Sequence, residues 1–179
     1  NFGVQLIVDL LSAGFVDKIG YRVSIVIAHA ASALGLIGLV VLPNLLPDAY
    51  TGILLSVMIY AIGGGLIEVL ISPIIEACPT DNKEKAMSLL HSFYCWGCTG
   101  VVLISTVFFS IIGIDHWKVL TLLWTIIPIG NLILFTKVPI YSLTDEDEKG
   151  MNLKELFCEK IFWVLMLMMV CSGASEQAV

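Results

Sequence analysis

The run from Thr51 to Ala77 is apolar almost throughout, and it is long enough to cross a bilayer as a helix. About 20 helical residues span the hydrocarbon core. Five other apolar segments accompany it, at roughly 1–16, 23–43, 86–112, 117–140 and 160–179. The runs are too long for barrel strands and lack the apolar–polar alternation of a membrane strand. Length therefore decides for helix. The chain reads as an all-α membrane protein, a helical bundle with about five to six transmembrane helices. Composition agrees: 58% of residues are hydrophobic and 13% charged, against about 25% charged in a soluble domain.

Short polar segments punctuate the spans. Pro43 to Asp48 reads as a turn. The stretch Cys78 to Lys85 is polar and offers Asp81 or Asn82 as an N-cap for the next helix. Gly113 to His116 is a tight connection, and Pro128 predicts a kink in the span that follows. Tyr141 to about Glu159, with Asp145 to Glu148 consecutively acidic and Gly150, reads as a linker. The expected organisation is a first bundle over 1–140, a linker over 141–159 and the start of a second bundle over 160–179. Leu153, Leu156, Phe157 and Ile161 keep helical spacing among charges. They fit a surface helix or an extension of the last span. A chain that starts at Asn1 and stops inside an apolar run is expected to be an internal piece of a longer protein.

Basic residues orient the bundle. Lys18, Arg22, Lys83, Lys85, Lys137, Lys149, Lys154 and Lys160 fall on one side, and Lys118 alone on the other. The first side is cytoplasmic by the positive-inside rule, in a plasma (inner) membrane. No basic patch points to nucleic acid, and no motif asks for a cofactor or a metal. Five cysteines, none in a stretch placed on an oxidising side, do not make a disulfide framework. Cys95-Trp-Gly-Cys98 leaves a membrane thiol oxidoreductase as a rival function, although two small side chains on one helix face explain the spacing.

Glu68 is the residue least at home. An ionised side chain at mid-bilayer costs roughly 2.5–3.5 kcal/mol on insertion scales, so it usually serves a pathway or meets a partner. Hydrocarbon favours the neutral carboxyl, which suits a group that takes and releases protons. Tyr60, Gly64, Glu68 and Ser72 recur every four residues and form one small and polar face. Asn1, Gln5, Asp9 and Ser12 form a stripe on the first segment, with Asp9 about 12 Å along the helix from Asp17. His91 lies near the inner end of its span and Asn131 near the middle of another. Trp124 could stack on a solute ring. His29 suits a local hydrogen bond, and Glu76 a solvated or loop-paired position. Gly63 to Gly65, Gly97 and Gly100 should let helices approach closely.

The first charged segment reads Ala13-Gly14-Phe-Val-Asp17-Lys18-Ile-Gly20-Tyr21-Arg22. Gly20 permits a tight turn, and Asp17, Lys18 and Arg22 can form ion pairs that lock one conformation and release another. This segment resembles the signature between the second and third helices of the major facilitator superfamily, with Asp17, Lys18, Gly20 and Arg22 in matching positions. Ala13 stands where that pattern has Gly, and Tyr21 where it has a first base. Gly63-Gly-Gly65-Leu-Ile-Glu68 with Pro73, Leu89-Leu-His91-Ser-Phe93-Tyr-Cys-Trp-Gly97 and Ser172-Gly-Ala-Ser-Glu176 resemble helices of its fucose permease-like branch. The chain would then be helices two to seven of twelve.

The resemblance implies proton-coupled uptake of a sugar or similar polar solute, with Glu68 as the proton or substrate carboxylate. Asp9, Gln5, His91, Asn131 and Glu176 would complete the lining. Asp17, Lys18, Gly20 and Arg22 would form a gating loop. The implied partners are the solute, the proton and the lipid bilayer. The Arg and Gly-Pro pair typical of the superfamily's drug–proton antiporters are absent from the corresponding helices, which favours import. A non-transporting sensor or assembly protein on the same fold is the alternative.

Overall fold

The structure, a computed structural model, describes the backbone of residues 2–141 and 153–177. The acidic run Asp145 to Glu148, most of the expected linker and Asn1 lie outside the described residues. Two compact units divide the chain, Asn1–Leu143 and Thr144–Val179. The first holds α1 (Phe2–Ile19), α2 (Tyr21–Leu45), α3 (Ala49–Glu76), α4 (Lys83–Ile112), a single 3₁₀ turn at Ile114–His116, and α5 (Trp117–Lys137). The second holds α6 (Leu153–Cys158) and α7 (Lys160–Gln177). No strand occurs among the described residues.

Four helical stretches are long and apolar enough to cross a membrane: α2, α3, α4 and Ile114–Lys137. α1 and α7 carry only shorter apolar stretches, Gly3–Ser12 and Lys160–Cys171. Both stretches are bounded by the described residues, and the four long helices agree with a helical membrane bundle. α6 ends before Glu159 and α7 begins at Lys160, so the surface segment is a separate short helix. In it, Phe157 meets Phe162 and Trp163, and the Trp163 indole donates to the Phe157 carbonyl at 2.9 Å.

The connections are tighter than the polar segments suggested. α1 runs on to Ile19, and Gly20 alone separates it from α2. Its φ of 89° lies in the left-handed region that a side chain would strain. Pro43 sits in the last turn of α2 rather than in a turn between helices. Asp48 caps α3: its carboxylate accepts from Tyr50 N and Thr51 N at 3.3 and 2.9 Å, and from the Thr51 hydroxyl at 2.6 Å. Asn82 occupies the N-cap of α4 without a side-chain bond, contrary to expectation. Glu76 pairs with Lys83 at 3.5 Å across that same connection.

In a bilayer, apolar burial gains little, because lipid tails are as apolar as leucine; close packing of small residues joins helices instead. α2 is the central helix and packs most extensively on α3, then on α5. At the α2–α3 crossing a Cβ on Gly35 would lie 2.5 Å from Tyr60 N. One on Gly52 would lie 2.7 Å from the Leu42 carbonyl carbon, and one on Gly63 2.6 Å from the Ala28 oxygen. The two backbones therefore touch where glycine allows it. Val8, Val16, Ile25, Ala28, Leu66, Leu70 and Ile74 knit α1, α2 and α3 into one core. α4 differs: it has no buried residue, and Gly97 and Gly100 have nothing within 4 Å of an added Cβ. Their expected close packing is absent among the described residues, since α4 meets α3 and α5 only sparsely.

Candidate functional site

Gln5 and Asp9 lie on α1 where it crosses the glycine run of α3. A Cβ on Gly64 would stand 3.4 Å from Gln5 Nε2, and one on Gly65 would stand 3.3 Å from Gln5 Cα and 3.4 Å from Asp9 Oδ1. Glycine at these positions leaves room for a polar stripe to lie against a helix face. Ser12, fully buried, donates to the Asp9 carbonyl at 2.7 Å and so continues the stripe without a free hydroxyl. Asp9 Oδ1 is sealed from solvent and, among the described residues, receives no hydrogen bond. A buried acceptor left without a donor costs roughly 1–3 kcal/mol, and more when charged. A proton on the carboxyl or a donor from a bound solute would remove that cost.

Glu68 stands three residues beyond Gly65, about 4.5 Å of helix rise. The two carboxyls therefore lie at similar depth on neighbouring helices. Glu68 itself is exposed, whereas the sequence led us to expect a buried side chain. The reason is geometric. α2 covers the Gly63 side of α3, α1 covers the Gly65 side, and α4 stands away, so along the stripe Tyr60 and Glu68 are exposed and Gly64 and Ser72 half-buried.

A cleft of about 430 Å³ opens on the adjoining side of α3. His29, Ser32 and Leu36 of α2 form its floor. Tyr60, Gly64 and Ile67 line one wall, Trp124, Ile127, Pro128 and Asn131 the other, and Val101 of α4 the fourth side. His29 is buried, its Nδ1 lies 2.8 Å from the Ile25 carbonyl, and its ring meets Phe135 at 5.2 Å. The local partner expected for His29 is thus its own helix. Asn131 faces this cleft rather than the Asp9 stripe. His91 is exposed on α4 and joins neither group. Glu176 lies on α7, in the other unit, and its side chain is outside the described residues.

The charged turn gives a result the sequence did not suggest. Arg22 donates through Nη1 to the carbonyls of Phe135 and Thr136 at 3.1 and 3.0 Å, and through Nη2 to that of Val138 at 2.8 Å. The last carbonyls of a helix have no partner within it and carry its negative dipole end. A planar guanidinium satisfies several of them at once. Arg22 therefore clasps the C-terminus of α5. Lys18 lies in the last turn of α1, where a cation is favourable. The Asp17 side chain is outside the described residues.

Two independent facts agree on sidedness. Arg22 begins α2 and reaches the end of α5, both on the basic face. Lys118 begins α5 and donates to Asn44 Oδ1 near the end of α2 at 3.3 Å, on the opposite face. Large apolar side chains, such as Trp96, Val102, Ile111 and Ile126, stay more than half exposed in the spans. That surface suits lipid rather than water. No curated protein and no solved structure matches the chain. A family model does, over residues 1–179, and its description is Major Facilitator Superfamily.

Proposed function

The chain belongs to the major facilitator superfamily, and we propose that it acts by taking up a small polar solute, a sugar or similar, together with a proton. Membership makes it an integral membrane protein of a transporter family. The finer reading rests on one observation: the orphaned Asp9 Oδ1, sealed against Gly65 within a helical turn of Glu68. Glu68 stands at similar depth on the neighbouring helix as a second carboxyl on the same path. A proton on Asp9 would remove the cost of its unsatisfied oxygen, and its release would leave a carboxylate that demands water or a donor. The Gln5 amide beside Gly64 offers a donor and an acceptor to a solute hydroxyl. The solute would bind near the bilayer midplane between two bundles that rock around it. His91 and Glu176 would contribute from α4 and from the second bundle, and the plasma membrane is the expected site. The turn Asp17, Lys18, Gly20 and Arg22 would favour one of the two states.

The test is uptake by the intact protein under an imposed proton gradient. Glu68→Gln and Asp9→Asn should each lower accumulation by at least tenfold, the scale of one lost charge-assisted interaction. Solute exchange at equal pH should persist. Wild-type proton-driven accumulation in both variants would sink the coupling role.

A further inference from the structure

We infer that the cleft between α2, α3 and α5 is a second binding site, for an uncharged molecule carrying hydroxyl groups on an apolar body. The first argument is hydrogen-bond accounting. Hydroxyls along these spans satisfy themselves on the preceding turn: Ser24 on Gly20, Ser56 on Gly52, Thr106 on Val102, and Thr125 on Thr121, all at 2.8–2.9 Å. The polar groups of the cleft do not. Among the described residues, no hydrogen bond reaches the Ser32 hydroxyl, the Tyr60 hydroxyl, the Trp124 indole N–H or the Asn131 amide. In hydrocarbon each such group costs free energy until something satisfies it.

His29 adds the fifth group. A carbonyl can only accept, so the ring nitrogen facing the Ile25 oxygen, Nδ1, carries the hydrogen. Nε2 then remains for a ligand, as an acceptor whenever the ring carries a single hydrogen, and no described group reaches it, although the residue is only 4% exposed. The residues lining the cleft thus bring together the His29 ring, the Trp124 donor, and groups of both kinds at Ser32, Tyr60 and Asn131. A hydroxyl both donates and accepts, so it is the ligand group that meets this set. No Asp, Glu, Lys or Arg lines the cleft, so an ionic ligand would lie there uncompensated. Leu36, Ile67, Ile127 and Pro128 give the rest of the ligand an apolar bed. The volume of about 430 Å³ suits a small molecule.

The site is distinct from the carboxyl pair. Gly64 is the wall between them, touching Gln5 on one side and lining the cleft on the other. A hydroxylated ligand could come from water or from the bilayer, and two probes separate these sources. The intact protein in phosphatidylcholine nanodiscs is photolabelled with a diazirine-bearing hexose and, separately, with a diazirine-bearing monoacylglycerol. Labelled residues are then mapped by peptide mass spectrometry. One probe should label α2 or α5 around Ser32 and Asn131. That labelling should fall about tenfold in Asn131→Leu and severalfold in Trp124→Phe, which keeps the ring and removes the donor. It should be unchanged in Glu68→Gln. Hexose labelling assigns an aqueous ligand, and monoacylglycerol labelling a lipid. Labelling by neither probe, or labelling indifferent to both cleft variants, overturns the site. Labelling lost in Glu68→Gln overturns its independence from the proposed transport site, whichever way the uptake test falls.

Discussion

The α2–α3 crossing and α4 use the same residue type to opposite ends. At the crossing, Gly35, Gly52 and Gly63 bring two backbones together so closely that a single methyl would collide with main-chain atoms. On α4, Gly97 and Gly100 face open space and no residue is buried. A small residue in a membrane helix therefore permits approach without producing it. What produces approach is a matching partner: Ser32, Ser56 and Ala28 are small or self-bonded, so the facing helix can close on the gap. α2 and α3 form a fixed pair, and α4 is attached to α3 and α5 only sparsely.

The contrast can be broken most directly by adding a methyl group to each side. Gly35→Ala and Gly63→Ala should each destabilise the intact protein by about 2–3 kcal/mol through overpacking. Gly97→Ala should be neutral or stabilising by up to about 1 kcal/mol through helix propensity. Thermal unfolding in one detergent compares them, and an equal loss at Gly97 would mean that α4 is covered in the intact protein. Next in size is the clasp at the end of α5. Arg22→Ala should cost about 1–2 kcal/mol, the worth of exposed charge-assisted bonds. Arg22→Lys should recover less than half of it, since an ammonium cannot fork across three carbonyls. The same melts report both variants, and full recovery by lysine would leave only a general charge effect.

The smallest effect lies at Asp48. The Thr51 hydroxyl, with the backbone N–H groups of Thr51 and Tyr50, holds its carboxyl below the usual carboxylate range. The folded value is lowered, so the cap's contribution is present above about pH 4, the ordinary range for Asp, and disappears as pH falls through the folded value. Asp48→Ala should therefore melt slightly below wild type near neutral pH, and the two curves should converge in acid. A gap that persists in acid would show that ionisation of the cap is not what stabilises α3.

The spans and the turn at Gly20 were legible in the sequence, each for a local reason. Span length and a glycine beside charges need no knowledge of neighbours. The exposure of Glu68 was not legible, because it depends on how far α4 stands from α3. The cleft was visible only in pieces: His29, Trp124 and Asn131 each have an ordinary explanation alone, and their convergence is a tertiary fact. The Arg22 clasp joins residues more than a hundred positions apart. No local pattern announces it, although a lone Arg at a helix start and a polar helix end on the same membrane face were compatible with it. Pro43 misled for the opposite reason: the helix runs two residues past it, giving up one intrahelical hydrogen bond, so the proline marks the boundary only loosely.

Two contacts fasten α2 to α5 at opposite ends, Arg22 at one and Lys118 with Asn44 at the other. A pair of rods pinned at a single point can swivel, whereas rods pinned at both ends turn only together. α2 and α5 are thus tied at both ends, with Phe135 and His29 in contact between the ties. Within this unit, the joints left looser are the single-residue link at Gly20 and the sparsely packed α4.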